Sequence, residues 1–309
     1  MGSVRQIIAA VLALVTAALA ATVCNGKEEY CNRKYSNITQ VGAHDSAFVG
    51  ILPSQNQFIP VKDQLNLGVR FLQTQSHDKD GTVEMCHTNC DLLDQGSFES
   101  YLKPIKTWLD NNQNDVVTLL VVNYDDLPAS KFGDVFKAVG LDKYAFVPNG
   151  KIEMDEWPTL QEMITAGTRL VVFLDDHADT NSVPYILPEW DYYFETPFGV
   201  TDKNFPDCSL DRPANSSPDG KLMLVNHFLN IKVFGIKIPA PFESPKTNSV
   251  SSIVAQADLC TAKWGREPQV ILVRLSIPSK PLQLNKVFLL DFVNMGDAMG
   301  AQTALNNVN

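Results

Sequence analysis

Unbroken apolar runs alternating with segments of helical period dominate the chain. Runs rich in Val, Leu, Ile and Phe predict strands at Ile38–Ala43, Val69–Gln75, Val83–Cys86, Val116–Asn123, Arg169–Leu174, Leu222–Phe228, Gln269–Leu275 and Val287–Val293, with Tyr192–Glu195 as a further short candidate. Several lack polar alternation, as strands covered on both faces do. Between them, Phe98–Asn111 places Tyr101, Leu102, Ile105, Trp108 and Leu109 on one helical face, with Ser97 positioned to cap its N-terminus. Ala129–Val139, Leu160–Ala166 and Ser249–Lys263 are further predicted helices. Strands alternating with helices imply a parallel sheet. Their number in a chain of 309 residues predicts an α/β fold, a distorted (β/α) TIM-like barrel. Asn204–Gly220 and the proline-bearing stretch Ile236–Asn248 read as loops, and no linker divides the chain.

The N-terminus changes the picture of where this barrel works. Arg5, the apolar stretch Ile7–Leu19 and the small residues of Ala18-Leu19-Ala20 form the pattern of a secretory signal over residues 1–20. The stretch is shorter than the ~20 residues of a membrane span. The expectation is a secreted, extracellular domain over residues 21–309. Six cysteines (Cys24, Cys31, Cys86, Cys90, Cys208 and Cys260) fit disulfides in an oxidising compartment. Local closure favours Cys24–Cys31 and Cys86–Cys90, leaving Cys208–Cys260. Cys86, His87 and Cys90 are also zinc-ligand types, but no second cysteine pair has zinc spacing. Asn37-Ile38-Thr39 and Asn215-Ser216-Ser217 are glycosylation acceptors. A net charge of −10 with no Lys/Arg-rich run excludes nucleic acid as the expected partner. It also disfavours electrostatic attraction to anionic membranes, so at most a transient, local or apolar contact is expected. No coiled-coil pattern is present, and a monomer is expected.

The five histidines (His44, His77, His87, His177 and His227) all fall at or just past the ends of predicted strands. In a (β/α) barrel those ends form one rim, where active sites lie. Asp45, Asp78, Asp125, Asp175, Asp176 and Asp291 collect there too, and Asp291 interrupts an apolar run, so it must be paired or functional. Gln73 and Gln75 share one face of a strand and could donate to phosphate oxygens or fill a hydrogen-bonded barrel layer. Asn123 ends the next strand and is a further candidate for substrate contact. His77, His177 and His227 suit structural or substrate-positioning roles. Two imidazoles, His44 and His87, are the residue types needed to cleave a phosphodiester, one removing a proton and the other supplying one.

Gly42-Ala43-His44-Asp45-Ser46, then Gly68-Val69-Arg70-Phe71-Leu72, then Cys86-His87, resemble the X-domain of phosphatidylinositol-specific phospholipase C. The resemblance is narrower to the secreted fungal group of phospholipase C-like phosphodiesterases, and spans most of the chain. It implies a distorted barrel in which His44 is the general base on an inositol 2-hydroxyl and His87 the general acid on the leaving oxygen. A cyclic phosphate would form first, and Asp45 and Asp291 would be the supporting carboxylates. The implied partner is a phosphoinositide-like lipid or a soluble phosphodiester. Bacterial members place Asp and Arg, and metal-dependent members place acids, where this chain has Gln73 and Gln75. No metal or other cofactor is therefore expected. Either another cation serves, Arg70 and Lys79 being nearby candidates, or activity is low, or the substrate differs. The competing expectations are a catalytically weak relative that binds inositol phosphate or glycan through the same rim, and a metal-dependent barrel hydrolase.

Overall fold

The computed structural model describes residues 22–265 and 286–308. The predicted signal segment and the strand at Gln269–Leu275 lie outside the described residues. Twelve strands are seen within them: β1 (Gln40–Ala43), β2 (Phe71–Lys79), β3 (Thr82–Cys86), β4 (Asp94–Ser97), β5 (Val117–Asn123), β6 (Leu170–Leu174), β7 (Ile186–Pro188), β8 (Tyr193–Glu195), β9 (Leu222–Asn226), β10 (Asn230–Val233), β11 (Ile236–Pro239) and β12 (Lys286–Leu290). The helices are α1 (Val61–Leu67), α2 (Phe98–Asn111), α3 (Ala129–Val139), α4 (Leu160–Ala166), α5 (Glu189–Tyr192), α6 (Ser244–Thr247), α7 (Val250–Trp264) and α8 (Ala298–Leu305).

Eight strands pair in parallel in the order β7-β6-β5-β2-β1-β12-β9-β8. Chain order follows this path around the barrel, and among the described residues no ladder joins its ends, β7 and β8. The barrel is thus distorted, with a seam bridged by the one-turn helix α5.

Strand periodicity explains the two layers of core. Val117, Leu119 and Val121 of β5 pack with Leu170, Val172 and Leu174 of β6 in the outer layer beneath the helices. The alternate residues Leu120, Val171, Phe173, Leu224 and Leu289 fill the barrel, together with Tyr35 and Trp157 from outside the sheet. This two-sided burial is what the unbroken apolar runs reflect. On β2 the inward face reads Phe71, Gln73, Gln75, so the barrel turns from apolar to polar toward its C-terminal end.

The helical patterns translate directly. α2 buries Tyr101, Leu102, Ile105, Trp108 and Leu109, and Ser97 caps it by accepting from the Ser100 N–H. Val83–Cys86 departs from expectation. β2 runs past the barrel, and β3 and β4 fold back on its extension as antiparallel strands, so β3 is no barrel stave. The segment from Ile236, expected to be loop, is also different. β10 and β11 form an antiparallel hairpin, turned by Phe234 and Gly235, both at positive φ. Pro239 sits at the end of β11, and Pro245 in the first turn of α6, positions where a missing N–H costs nothing.

All three disulfides are present, Cys24–Cys31, Cys86–Cys90 and Cys208–Cys260. Asn215 is exposed in its loop, whereas Asn37 is half-buried and its partner Thr39 is buried. No helix of the described residues is long and apolar enough to cross a membrane.

Candidate active site

A cavity of about 410 Å³ opens at the C-terminal end of the barrel. His44 and Asp45 reach it from the turn after β1, Gln73 and Gln75 from β2, and His87 from the loop after β3. Asp45, buried and at φ +47°, occupies the left-handed region that Asp tolerates better than most residues. Its Oδ2 lies 3.4 Å from Nε2 of His44 and 3.3 Å from Nε2 of His87. One carboxylate thus stands between two imidazoles that are distant in sequence.

Each ring has its own support. His44 Nδ1 is 2.8 Å from Asp291 Oδ1, which also accepts from Asn56 at 2.9 Å. Phe228 stacks on the His44 ring at 3.8 Å. The loop carrying His87 is closed by Cys86–Cys90 and passes through Thr88 at φ +69°, a costly value for a β-branched residue. Gln75 ties this loop to the first, its amide donating to Asp45 Oδ2 at 3.2 Å and its carbonyl accepting from the Thr88 N–H at 3.4 Å. Gln73 accepts from the Asp45 N–H at 2.8 Å. The two glutamines therefore hold Asp45 as well as facing the cavity.

Burial works against charging His44, but Asp45 and Asp291 outweigh it and hold its pKa above the ordinary value. His87 is likewise opposed by burial and raised on balance by the Asp45 hydrogen bond and charge. Burial would raise Asp45, yet the two imidazoles and the Gln75 amide leave its pKa lowered.

The opposite wall lies at the seam. Glu195 of β8 is paired with Arg212 and accepts from the Asn226 amide at 3.2 Å. Burial, reinforced by Glu195, pushes Glu189 well above the carboxylate range, and burial raises Asp175 to about 6. Arg212 is thus engaged by acids. Lys237 of β11 also lines the cavity, and among the described residues it has no ion-pair partner. Gly199 makes room for it, since a Cβ there would stand 2.9 Å from the Lys237 Nζ.

Other expected site residues lie elsewhere. Arg70 is at the N-terminal end of β2, buried, paired with Asp115 at 2.8 Å and stacked on Trp108. It belongs to the far end of the barrel and cannot be the phosphate cation. Lys79 pairs with Asp94 at 2.6 Å on the β2–β4 extension, outside the cavity lining. Asn123 donates to the Leu127 and Asp176 carbonyls and shapes the loop after β5. His227 is fully buried; its Nδ1 meets Gln256, its Nε2 meets the Thr247 carbonyl at 2.7 Å, and burial depresses its pKa. It anchors α6 and α7 and does not face substrate. His77 pairs with Asp125 at 3.1 Å, and His177 is exposed beside Asp126 and Asp176. That exposed trio is the one place among the described residues where three metal-donor groups converge, and it lies outside the cavity.

The residues missed from sequence are Asn56, Phe228, Glu189, Glu195, Arg212 and Lys237. Only Lys237 carried a readable signal. Ile231-Lys232-Val233 and Ile236-Lys237-Ile238 alternate around a two-residue turn, which is a hairpin pattern.

Solved structures agree on the fold: the phosphatidylinositol-specific phospholipase C of Listeria monocytogenes superposes with TM-score 0.57 at 13% identity, over 90% of this chain and 96% of that one. A phosphatidylinositol-specific phospholipase C of Staphylococcus aureus gives 0.55 at 12% identity, over 90% and 94%. The family described as PI-PLC X 1 matches residues 30–280, and the chain belongs to it. "PI-PLC X domain-containing protein 1" of the fungus Arthroderma benhamiae is 49% identical over 291 residues, 93% of this chain and 90% of that protein. An "Uncharacterized secreted protein" of the same fungus is 42% identical over 302 residues, and this chain spans 64% of its length.

Proposed function

We propose that this chain is a secreted phosphoric diester hydrolase of the phosphatidylinositol phospholipase C type, working by paired-histidine acid/base chemistry without a metal. The observation that carries the proposal is the shared Asp45 Oδ2 between His44 and His87 at the wall of one cavity. His44, oriented through Nδ1 by Asp291, takes the proton of the hydroxyl neighbouring the phosphodiester. The freed oxygen attacks phosphorus, the bond from phosphorus to the lipid oxygen breaks, and His87 gives that oxygen a proton. A cyclic phosphate results, which water can open with the histidine roles reversed. Asp45 stabilises whichever ring is cationic. Lys237 supplies the positive charge that Gln73 and Gln75, as neutral amides, do not. Secretion is supported by the three disulfides and by the name of the 42%-identical relative.

The test is release of inositol phosphates from phosphatidylinositol vesicles, followed by phosphorus NMR with and without a chelator. Cyclic phosphate released equally in both is the expected result. No release from any inositol phospholipid would leave a binding protein, and release that requires added metal would overturn the proposed chemistry.

The rate requires one ring neutral and the other protonated, so it peaks between two apparent pKa values of the coupled pair. Both rings are raised above the ordinary histidine value of ~6.5. The peak should therefore lie on the alkaline side of that value. Asp45→Asn removes a carboxylate that raises both rings and should move the whole profile to lower pH, besides slowing the reaction. An unmoved kcat/KM profile in this variant would contradict the assignment.

A further inference from the structure

The β10–β11 hairpin is a wall with two chemically different faces. Its register pairs Ile231 with Ile238, Lys232 with Lys237 and Val233 with Ile236. Strand alternation sends Asn230, Lys237 and Pro239 toward the histidine cavity, which they line. Ile231 and Ile238 face the other way, into a second cavity of about 630 Å³. Ile51, Leu52, Phe58 and Phe242 supply much of the rest of its lining, and its polar lining residues are Gln55 and Glu243 alone. The Gln55 side chain is turned to its own loop, accepting from the Leu52 N–H and donating to the Val49 carbonyl. The groove thus offers a ligand no cationic or hydrogen-bond-donating side chain, and one carboxylate that would repel an anionic head.

The two cavities adjoin across the hairpin. Pro239 lines both, and at a second point Asn56 on the catalytic side follows Gln55 on the apolar side. On the same rim Ile51 is 90% and Phe242 95% exposed, an arrangement that costs hydrophobic free energy unless something apolar covers it.

Resting on the phosphodiesterase proposal, we infer that this groove is a binding site for one alkyl chain of an amphiphilic phosphodiester, whose phosphate lies across the hairpin in the histidine cavity. The occupant is an uncharged hydrocarbon chain of a single lipid molecule. Adjacency to the phosphate cavity through Pro239, the apolar lining and the repulsion of anions by Glu243 all point to it. A volume of about 630 Å³ is within the ~300–1,000 Å³ of small-ligand sites. The hairpin would act as a divider, reading charge on one side and chain length on the other.

The test is equilibrium binding rather than turnover, with monomeric alkyl phosphates below their micelle concentration, from ethyl through octyl to decyl. Affinity should tighten with length by up to about fourfold per methylene buried. Phe242→Ser, at a side chain too exposed to matter for folding, and Ile231→Ser should each flatten this dependence while leaving ethyl phosphate affinity unchanged. Length-independent binding by the wild type, an equal dependence in both variants, or long-chain binding seen only with phospholipid vesicles would overturn the inference, the last result making this rim a bilayer contact instead. Failure of the phosphodiesterase proposal is read separately, as absent turnover by the wild type.

Discussion

Replacing His44 or His87 by alanine is expected to lower kcat by about 10²–10⁴-fold, the range of a lost general base or acid. The two rings share Asp45 and act in one proton-transfer step, so the double variant should be little worse than either single one. The roles can be told apart by the leaving group. A nitrophenolate departs without a proton, so an inositol nitrophenyl phosphate should restore much of the activity of His87→Ala and none of that of His44→Ala. Steady-state rates on the natural-type lipid and the activated ester, with near-ultraviolet circular dichroism to show that the variants fold, decide it. Equal loss on both substrates in both variants would remove the acid/base assignment. Substitution at His44 also removes the ring that Phe228 stacks on, so His44→Gln is the better control for packing.

Lys237→Gln should reduce kcat by about 10²–10³-fold with a smaller effect on KM, the signature of charge stabilisation realised in the transition state. Charge accounting around the cavity leads to this lysine. Gln73 and Gln75 are neutral and hold Asp45. Arg212 is bound to Glu195. Arg70 faces Asp115 at the other end of the barrel. Lys237 remains, lining the cavity without an ion-pair partner among the described residues. Lys237→Arg should keep a larger share of activity than Lys237→Gln, because the charge survives while the reach changes. Rates for Lys237→Gln within a few-fold of wild type would take this residue out of the reaction.

The staves of the barrel were legible wherever burial on both faces leaves continuous apolar sequence, as at Val117–Asn123 and Leu170–Leu174. α2 was legible with its cap because an amphipathic helix and an N-cap serine leave a local signature. Two kinds of element were not. β7, with three residues, is too short for periodicity to register. β3 reads as a stave but extends β2 outward, because an apolar run records burial and not the partner that provides it. The site divides in the same way. His44, Asp45 and His87 stand out as polar residues at the ends of apolar runs, and Asp291 as a carboxylate interrupting one. Arg70 misled because nearness in sequence to Gln73 says nothing about which end of a strand a side chain occupies. Lys237 was hidden by prolines that suggested loop, although Pro239 only closes its strand. The place of His227 after β9 puts it at the rim, yet Gln256 and Thr247, from elements remote in sequence, close over it.

The Cys86–Cys90 clasp brackets His87 with a separation of only four residues. Thr88 and Asn89 of that ring are exposed, and Thr88 is kept in an unfavourable backbone state, so the clasp works beside the Gln75 bond to the Thr88 N–H and the His87 N–H bond to the Leu93 carbonyl in holding the imidazole toward Asp45. A polypeptide in which this one clasp is reduced is therefore expected to keep the barrel yet hold its proton donor less firmly. Under the proposed function, passage through an oxidising export route would then also be the arming step; lipid hydrolysis that persists undiminished in Cys86→Ser/Cys90→Ser protein would dismiss this safeguard.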